Sequence, residues 1–275
     1  MVARSLDPGR YGALIIDTHA HVSLDVYAKD RERVIDRAAS AGVAFIEIGF
    51  DVESSIRSVD LAERIGGYCA VGVHPHEAKG KEPLEKMWRD IEALLSSPRV
   101  KAIGEIGLDY FRDLSPRNLQ VEAFLRGLDL ARAKYLPVVV HQREAEKDVL
   151  RLLTHAGHHK PIIFHCFSGD KSYLGKCLDL GGYIGLGGPL TYPRNAFLRD
   201  LVKYIPMDRI LVETDCPYLP PQGRRGKRNE PAFIVEVVDI LAQILDLPSA
   251  RVASVTRDNA MRAFSLEEMP LPRLS

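Results

Sequence analysis

The stretch Ala13-Leu-Ile-Ile-Asp-Thr-His-Ala-His21 ends a short apolar run with two histidines. His19 and His21 are two residues apart, so on a β-strand both side chains point to the same face. Other residues able to bind a metal follow later apolar runs in the same way: Glu105, His141, His165 and Asp215. Packing alone does not explain six such residues in these places. They are explained if all the strands point at one spot.

Eight short apolar runs divide the chain, and several of them are rich in Val and Ile. Most lack a clean alternation of apolar and polar residues, which is typical of strands buried on both faces of a parallel sheet. The predicted strands cover residues 13–17, 43–49, 68–73, 100–105, 136–141, 161–165, 182–186 and 210–214.

Segments with helical periodicity lie between these runs. In residues 31–41, for example, Val34, Ile35 and Ala38 share one face, and Gly42 ends the pattern. The predicted helices cover residues 31–41, 83–95, 116–135, 144–156, 172–180, 196–204, 232–245 and 249–264. This alternation of strands and helices predicts an α/β fold, the (β/α)8 TIM barrel. An open doubly wound sheet is the alternative, but eight repeats without a phosphate-loop glycine pattern favour closure.

The length of 275 residues suits one large domain. We expect a single barrel over residues 1–275, with its core at about 14–264, a short N-terminal extension and a frayed tail at 267–275. No apolar stretch approaches the ~20 residues of a membrane span. The first residues lack the apolar core of a signal peptide, so we expect a cytoplasmic protein. We infer no membrane association and no protein partner.

The charges of the chain balance, with 37 Lys plus Arg, 37 Asp plus Glu and a formal net charge of +0. The overall field therefore favours no polyanionic partner, and a nucleic-acid substrate would need a local basic patch or metal ions. The 4 cysteines are scattered and form no C-x-x-C pair. They are predicted to be reduced thiols, and a zinc site built from thiolates is not expected.

In a barrel, the carboxyl ends of all strands meet at one rim, where the functional residues lie. Imidazole together with carboxylate suits Zn²⁺, and also Mn²⁺ or Mg²⁺ when oxygen ligands complete the shell. Six ligands make room for two ions ~3.5–4 Å apart, with Glu105 as the natural bridge between them. Asp215 is predicted to bind a metal and to accept a proton from the attacking water. His74 and His76 follow the third strand and face the same rim.

Each of these residues taken alone has an ordinary explanation. A single histidine after a strand is most often a satisfied polar residue. An acid at a strand end often caps a helix, and Asp215 and Asp170 each qualify. As an account of all six positions together, ordinary polar and capping roles are a much weaker explanation than a metal site.

The ordered set of motifs resembles the TatD family of metal-dependent hydrolases. It covers nearly the whole chain, from about residue 14 to about residue 264. Any one motif is weak, but their order along the chain is specific. The matching stretches are Asp17-Thr-His-Ala-His21, Val73-His-Pro-His76, Gly104-Glu-Ile-Gly-Leu-Asp-Tyr110, His141-Gln-Arg143, Phe164-His-Cys-Phe-Ser-Gly169, Glu213-Thr-Asp-Cys-Pro-Tyr-Leu-Pro220 and Arg225-Gly-Lys-Arg-Asn-Glu-Pro231.

This resemblance implies a TIM barrel and metal-dependent deoxyribonuclease activity. It implies two ion sites that share one carboxylate. The first site would comprise His19, His21, Glu105 and Asp215, and the second Glu105, His141 and His165. His74 matches a pocket histidine of the family, which implies a catalytic role in contact with a phosphate oxygen or a metal-bound water.

Substrate contacts are expected from residues just beyond the ligands. Arg225 and Arg228 belong to a basic run after the eighth strand, together with Arg224 and Lys227. Such a run can bind the phosphate backbone, or it can be a solvated loop. Arg112, Arg143 and Tyr110 follow other ligand-bearing strands. They are candidates for orienting a phosphodiester, and Tyr110 also for stacking on a base.

Three functions remain open from the sequence. The leading hypothesis is a two-metal hydrolase that cleaves phosphodiester bonds in DNA, acting as an exonuclease on single strands. The alternative keeps the metals but hydrolyses an ester or amide, as a D-aminoacyl-tRNA deacylase does, since a fold does not fix a function. The third is a non-catalytic scaffold, which predicts weak or absent metal binding.

Overall fold

The computed structural model describes residue 11, residues 14–158 and residues 160–274. Eight parallel strands form one sheet in sequence order, which confirms the predicted (β/α)8 barrel. The strands are β1 (Ile15–Ala20), β2 (Val43–Ile48), β3 (Tyr68–Val71), β4 (Val100–Asp109), β5 (Val138–Arg143), β6 (Ile162–Phe164), β7 (Tyr183–Leu186) and β8 (Ile210–Val212).

The barrel closes where β1 meets the chain that follows β8. The backbone N–H of Asp215 donates to the carbonyl of His19, and the N–H of His21 donates to the carbonyl of Cys216, both at 2.9 Å. Ala20 and Cys216 form a parallel bridge at the same place. The first and last strands are therefore joined at the carboxyl end of the barrel.

Seven of the helices in the described residues lie between consecutive strands, and the last two follow β8. The helices are α1 (Arg31–Ser40), α2 (Val52–Ile65), α3 (Lys81–Leu94), α4 (Arg117–Ala133), α5 (Glu146–Ala156), α6 (Lys171–Asp179), α7 (Ala196–Val202), α8 (Ile234–Leu245) and α9 (Ser249–Ala263). Within the described residues, no helix is both long enough and apolar enough to cross a membrane.

Helix α2 is missing from the sequence prediction, because three of its seven buried residues are serines. Ser54, Ser55 and Ser58 are all fully buried there. Asp51 begins the helix with a capping box, in which its carboxylate accepts from the N–H of Ser54 at 2.6 Å. Gly49 leaves room for this serine face, since a Cβ at Gly49 would lie 2.5 Å from the Cα of Ser55.

Strand β4 continues four residues beyond its predicted end at residue 105. The prediction stopped there because a glutamate and two glycines interrupt the apolar run. Gly107 is required for the pairing with β5, since its φ is +145° and a Cβ on it would lie 2.0 Å from the carbonyl oxygen of His141. Strand β1 also runs further than predicted, to Ala20, so that His19 lies inside the strand.

The amino end of the barrel is closed by α9 and the tail. Phe264, Leu266 and Met269 are buried against the inward-facing residues of the strands. The N–H of Arg273 donates to the carbonyl of Ile65 at 3.4 Å. The prediction that the tail frays is therefore wrong for residues up to 274, because its apolar side chains close the open end of the barrel. The predicted N-terminal extension lies mostly outside the described residues.

Candidate metal centre

The structure brings all six predicted ligands together at the carboxyl rim of the barrel. His19 lies within β1 and His21 directly follows it, Glu105 lies in β4 and His141 in β5. The other two follow strand ends, His165 after β6 and Asp215 after β8. Their contacts place them around one buried point.

Glu105 occupies the middle of this group. Its Oε1 lies 2.9 Å from His141 Nδ1, 3.0 Å from His165 Nε2 and 3.6 Å from His74 Nε2. Its Oε2 faces the other way and lies 3.4 Å from His19 Nε2. The two oxygens of one carboxylate thus face two different sets of histidines.

Asp215 lies on the His19 side of Glu105. Its Oδ1 is 3.5 Å from His21 Nε2 and 3.9 Å from His19 Nε2. The φ angle of Asp215 is +54°, in the left-handed region that non-glycine residues seldom adopt outside special sites. Asp215 begins no helix, whereas Asp170 does cap α6 by accepting from the N–H of Tyr173 at 2.8 Å.

Three overlapping triads of these side chains have the spacing of a metal site. In each triad, one nitrogen or oxygen from every member lies within 4.8 Å of the others. They are His19, His165 and Asp215; His19, His21 and Glu105; and His74, Glu105 and His141. The donors are imidazole nitrogens and carboxylate oxygens, which suit Zn²⁺, Mn²⁺ and Mg²⁺.

His19 gives a further sign that a ligand belongs here. The side chain is fully buried and its ring stacks on that of His165, with centroids 3.9 Å apart. Neither ring nitrogen makes a hydrogen bond of good geometry within the described part of the chain, although Nε2 is near Glu105. Buried polar atoms are nearly always paired, so a bound cation would supply the partner that His19 lacks.

Hydrogen bonds fix which nitrogen of each ring faces the centre. His21 Nδ1 lies 2.8 Å from the carbonyl oxygen of Ile48, which only accepts, so Nδ1 carries a proton. In the neutral ring Nε2 therefore has a lone pair that can bind a cation, and in the protonated ring Nε2–H faces Asp215. His74 is the reverse case. Its Nδ1 accepts from the N–H of His76 at 3.1 Å, so in the neutral ring Nε2 carries the proton. His74 is therefore arranged to donate a hydrogen bond.

Three members of the cluster, Glu105, Asp215 and His19, have pKa shifts that favour the form able to bind a cation. Burial opposes ionisation of Glu105, but the charges of His165 and His74 and the hydrogen bonds from His141 and His165 hold its pKa well below the usual range. Burial also opposes ionisation of Asp215, whose pKa is nevertheless lowered by the bond from His21. Burial lowers the pKa of His19, which favours the neutral, ligating form of the ring.

Two buried carboxylates that the sequence analysis did not single out support these histidines. Glu213 is fully buried, and its Oε1 lies 3.4 Å from His165 Nδ1 and accepts from the N–H of Cys166 at 2.5 Å. Asp109 Oδ2 lies 3.2 Å from His141 Nε2 and 2.9 Å from His76 Nε2. Carboxylates in this position orient a ligating imidazole and raise its basicity.

The 4 cysteines are free thiols, as predicted, with Cys69, Cys177 and Cys216 buried and Cys166 partly buried. Within the described residues, the groups with metal-site spacing contain no cysteine.

The predicted substrate contacts differ in how much their side chains are engaged elsewhere. Arg228 donates to both carboxylate oxygens of Asp30, at 2.8 and 2.7 Å, which ties the loop after β8 to the start of α1. The hydroxyl of Tyr110 donates to Asp148 at 2.8 Å. Arg225 is exposed, with its guanidinium 4.7 Å from the ring centroid of Tyr192.

Two further basic residues near the rim are engaged in similar ways. Arg143 is exposed and its guanidinium lies 3.8 Å from the ring centroid of Phe111. Arg224 donates to Glu236 at 2.6 Å. Arg143 and Arg225 are thus the more accessible of the predicted phosphate contacts. Arg228 and Arg224 also stabilise the fold through their bonds to Asp30 and Glu236.

Comparisons with known proteins agree with this geometry. The family model described as TatD related DNase matches residues 16–265. The uncharacterized metal-dependent hydrolase YabD of Bacillus subtilis is 37% identical over 256 residues, which are 92% of this chain and 100% of that protein. The 3'-5' ssDNA/RNA exonuclease TatD of Erwinia billingiae is 36% identical over 261 residues, 92% of this chain and 99% of the relative.

A solved structure gives the same result for the fold. The crystal structure of YjjV, a TatD homologue from Escherichia coli K12, superposes with a TM-score of 0.86 at 29% identity and covers 95% of this chain and 100% of that one. Family match, sequence identity over almost the full length, and structural likeness all point the same way. This chain belongs to the TatD family of metal-dependent hydrolases.

Proposed function

We propose that this hydrolase cleaves phosphodiester bonds in single-stranded nucleic acid, with DNA as the expected substrate, and that it removes nucleotides from an end. The observation that carries the proposal is the two-sided position of Glu105, whose oxygens face His19 on one side and His141 and His165 on the other. Support also comes from relatives named as 3'-5' ssDNA/RNA exonucleases.

Two divalent ions fit this arrangement. His19, His21, Asp215 and Glu105 would hold one ion, and Glu105, His141 and His165 would hold the second. When bound, such ions make water nucleophilic at neutral pH and offset the charge on the attacking and leaving oxygens of an in-line displacement at phosphorus.

The side chains around the centre have distinct tasks in this reaction. Asp215 is kept ionised by its contact with His21, and its side chain is 16% exposed, so it can accept the proton of the attacking water. His74 carries a proton on Nε2 and can donate it in a hydrogen bond to a phosphate oxygen. Arg143 and Arg225 are placed to bind neighbouring phosphates, with Tyr110 and Arg228 as further contacts.

The test is nuclease activity of metal-stripped protein on end-labelled single-stranded DNA, with Mg²⁺, Mn²⁺ or Zn²⁺ added back. We expect metal-dependent release of nucleotides by the wild type. Glu105→Gln should lose at least about a hundredfold in rate, because removal of one electrostatic contact at a reacting centre typically costs this much. Glu53→Gln is the matched control, since Glu53 is exposed and forms an ion pair with Arg57 on the same helix.

The outcomes separate the remaining functions. Full activity of Glu105→Gln would refute its proposed role. Bound metal without release of nucleotides would favour ester or amide hydrolysis, and aminoacyl-tRNA would be the next substrate, with free amino acid as the product measured. Absence of metal binding would favour the scaffold function.

A further inference from the structure

A cavity of about 430 Å³ opens at the carboxyl rim of the barrel, the end that carries the predicted ligands. This volume lies in the range of small-molecule sites. A larger cavity of about 500 Å³ lies between the end of α8 and the start of α9, at the amino end of the barrel and away from the ligands. Only the smaller of the two is near the proposed chemistry.

The cavity is lined by loops that directly follow ligand-bearing strands. Phe111 follows β4, Arg143 ends β5, and Ser168 lies three residues after His165. The N–H of Phe111 also donates at 3.0 Å to Asp109, the carboxylate that contacts His141. The cavity wall is thus fixed to the metal centre through one buried side chain.

Two exposed aromatic rings line the cavity. Phe111 is 52% exposed and Phe197, in the first turn of α7, is 55% exposed. Arg143 stacks its guanidinium against Phe111. Large exposed aromatic side chains that converge on a cavity favour a flat, unsaturated ligand, because such rings and guanidinium planes stack on nucleobases.

The charges around the cavity indicate which part of a nucleotide fits. Glu144, Glu146 and Asp170 line it together with the single cation Arg143. Three carboxylates repel a phosphate but can accept hydrogen bonds from the exocyclic amino groups of a base. The acidic part of the lining therefore suits an uncharged base, and Arg143 is the one lining residue of the cavity that suits a phosphate.

We infer that this cavity is a base-binding subsite, in which Phe111 and Phe197 stack on a nucleobase of the strand whose phosphodiester lies at the metal centre. The inference rests on the proposed function and names the element of substrate that the site recognises. It moves base stacking from Tyr110, which is only partly exposed and whose hydroxyl donates to Asp148, to its more exposed neighbour Phe111.

The experiment compares intact single-stranded DNA with a set of oligonucleotides that each lack one base. For the wild type, an abasic site at one position near the cleaved bond should lower kcat/KM about tenfold, the typical effect of losing one stacked base. Phe111→Ala and Phe197→Ala should lower kcat/KM on intact DNA to a similar degree. In these variants the abasic site should then cost little more, because the stack is already absent.

Tyr135→Ala is the control, since Tyr135 is 76% exposed between α4 and β5, at the opposite end of the barrel. It should keep the wild-type penalty for the abasic site. Thermal unfolding of every variant checks that the fold is intact.

The results distinguish this inference from the proposed function. If the wild type cleaves intact DNA and the abasic site lowers kcat/KM equally in all variants, the subsite is overturned and the nuclease proposal stands. No cleavage of DNA by the wild type would overturn both. An abasic penalty that disappears only in the two phenylalanine variants would establish the subsite.

Discussion

His165 Nδ1 lies 3.4 Å from Oε1 of Glu213, a carboxylate that is fully buried beneath the metal centre. Glu213 raises the pKa of His165, together with Glu105 and against the effect of burial. His165 Nδ1 thus faces Glu213, while Nε2 faces Glu105 at 3.0 Å.

Glu213→Gln should weaken metal binding by about 10- to 100-fold, the usual effect of removing a carboxylate that orients a ligating histidine. Calorimetric titration of the stripped protein with Zn²⁺ measures the change directly. Affinity equal to that of the wild type would mean that Glu213 serves the fold and not the ion.

Gly185→Ala should disturb the same contact between Glu213 and His165. A Cβ on Gly185 would lie 2.3 Å from Glu213 Oε2, so the carboxylate must move away from His165. We expect a loss of about 1–3 kcal/mol in the free energy of unfolding, as for other overpacked core sites, together with weaker metal binding.

Chemical denaturation and metal titration measure both effects of this substitution. Gly175→Ala is the matched control, because a Cβ there meets no atom within 4 Å and the residue lies within α6. That variant should be as stable as the wild type or more stable by up to about 1 kcal/mol. Equal free energies of unfolding for the two variants would mean that a Cβ at Gly185 does not displace the Glu213 carboxylate at a cost in stability.

Removal of metal should lower the melting temperature. An ion at about 100 times its Kd stabilises the folded state by about 2.7 kcal/mol, which corresponds to roughly 5–10 °C for a protein of this size. Scanning calorimetry with and without chelator measures the shift. Glu105→Gln should show a much smaller shift, and a full shift in that variant would place the ion elsewhere.

Arg225 and Arg228 should separate into a substrate contact and a structural contact. Arg225→Ala should weaken binding of single-stranded DNA and reduce its salt dependence, by about 0.7 in the slope of log K against log salt for one lost phosphate contact. Fluorescence anisotropy at several salt concentrations measures this slope. An unchanged slope would mean that Arg225 belongs to a solvated loop and does not contact a phosphate.

Arg228→Ala should instead reduce stability in a pH-dependent way. The hydrogen bond from Arg228 lowers the pKa of Asp30 below its usual value. The stabilisation is therefore fully present above the unfolded-state pKa of about 3.9 and is lost as the pH falls through the folded-state pKa. The difference in melting temperature between wild type and variant should shrink below about pH 4. A constant difference down to lower pH would exclude the ion pair as its cause.

The barrel and the gathering of the six predicted ligands were accessible from sequence because each of these residues ends or follows an apolar run. A side chain at the carboxyl end of any barrel strand points to one rim, so spacing along the chain becomes proximity in space. His19 and Asp215 are 196 residues apart in sequence and still lie in contact.

The residues that support the ligands were not accessible in this way. Glu213 and Asp109 lie within the matching motifs, but nothing in a hydrophobic pattern separates a buried carboxylate that orients a histidine from one that ends a strand. Helix α2 was missed because Ser55 and Ser58 pack where apolar residues are expected. The role of Met269 in closing the amino end depends on contacts that periodicity does not describe.

The seam of the barrel passes through the metal centre. His19 comes from the first strand and Asp215 follows the last, and their backbones are hydrogen-bonded to each other. An ion bound by both residues would cross-link the first strand to the segment after the last one. Metal binding would then be coupled to closure of the barrel. In a circular permutant opened in a loop between two other strands, the joined termini would link β8 to β1 through the covalent chain. In that molecule the covalent link would already join the two strands, and the bound ion would contribute less to the stability of the closed barrel.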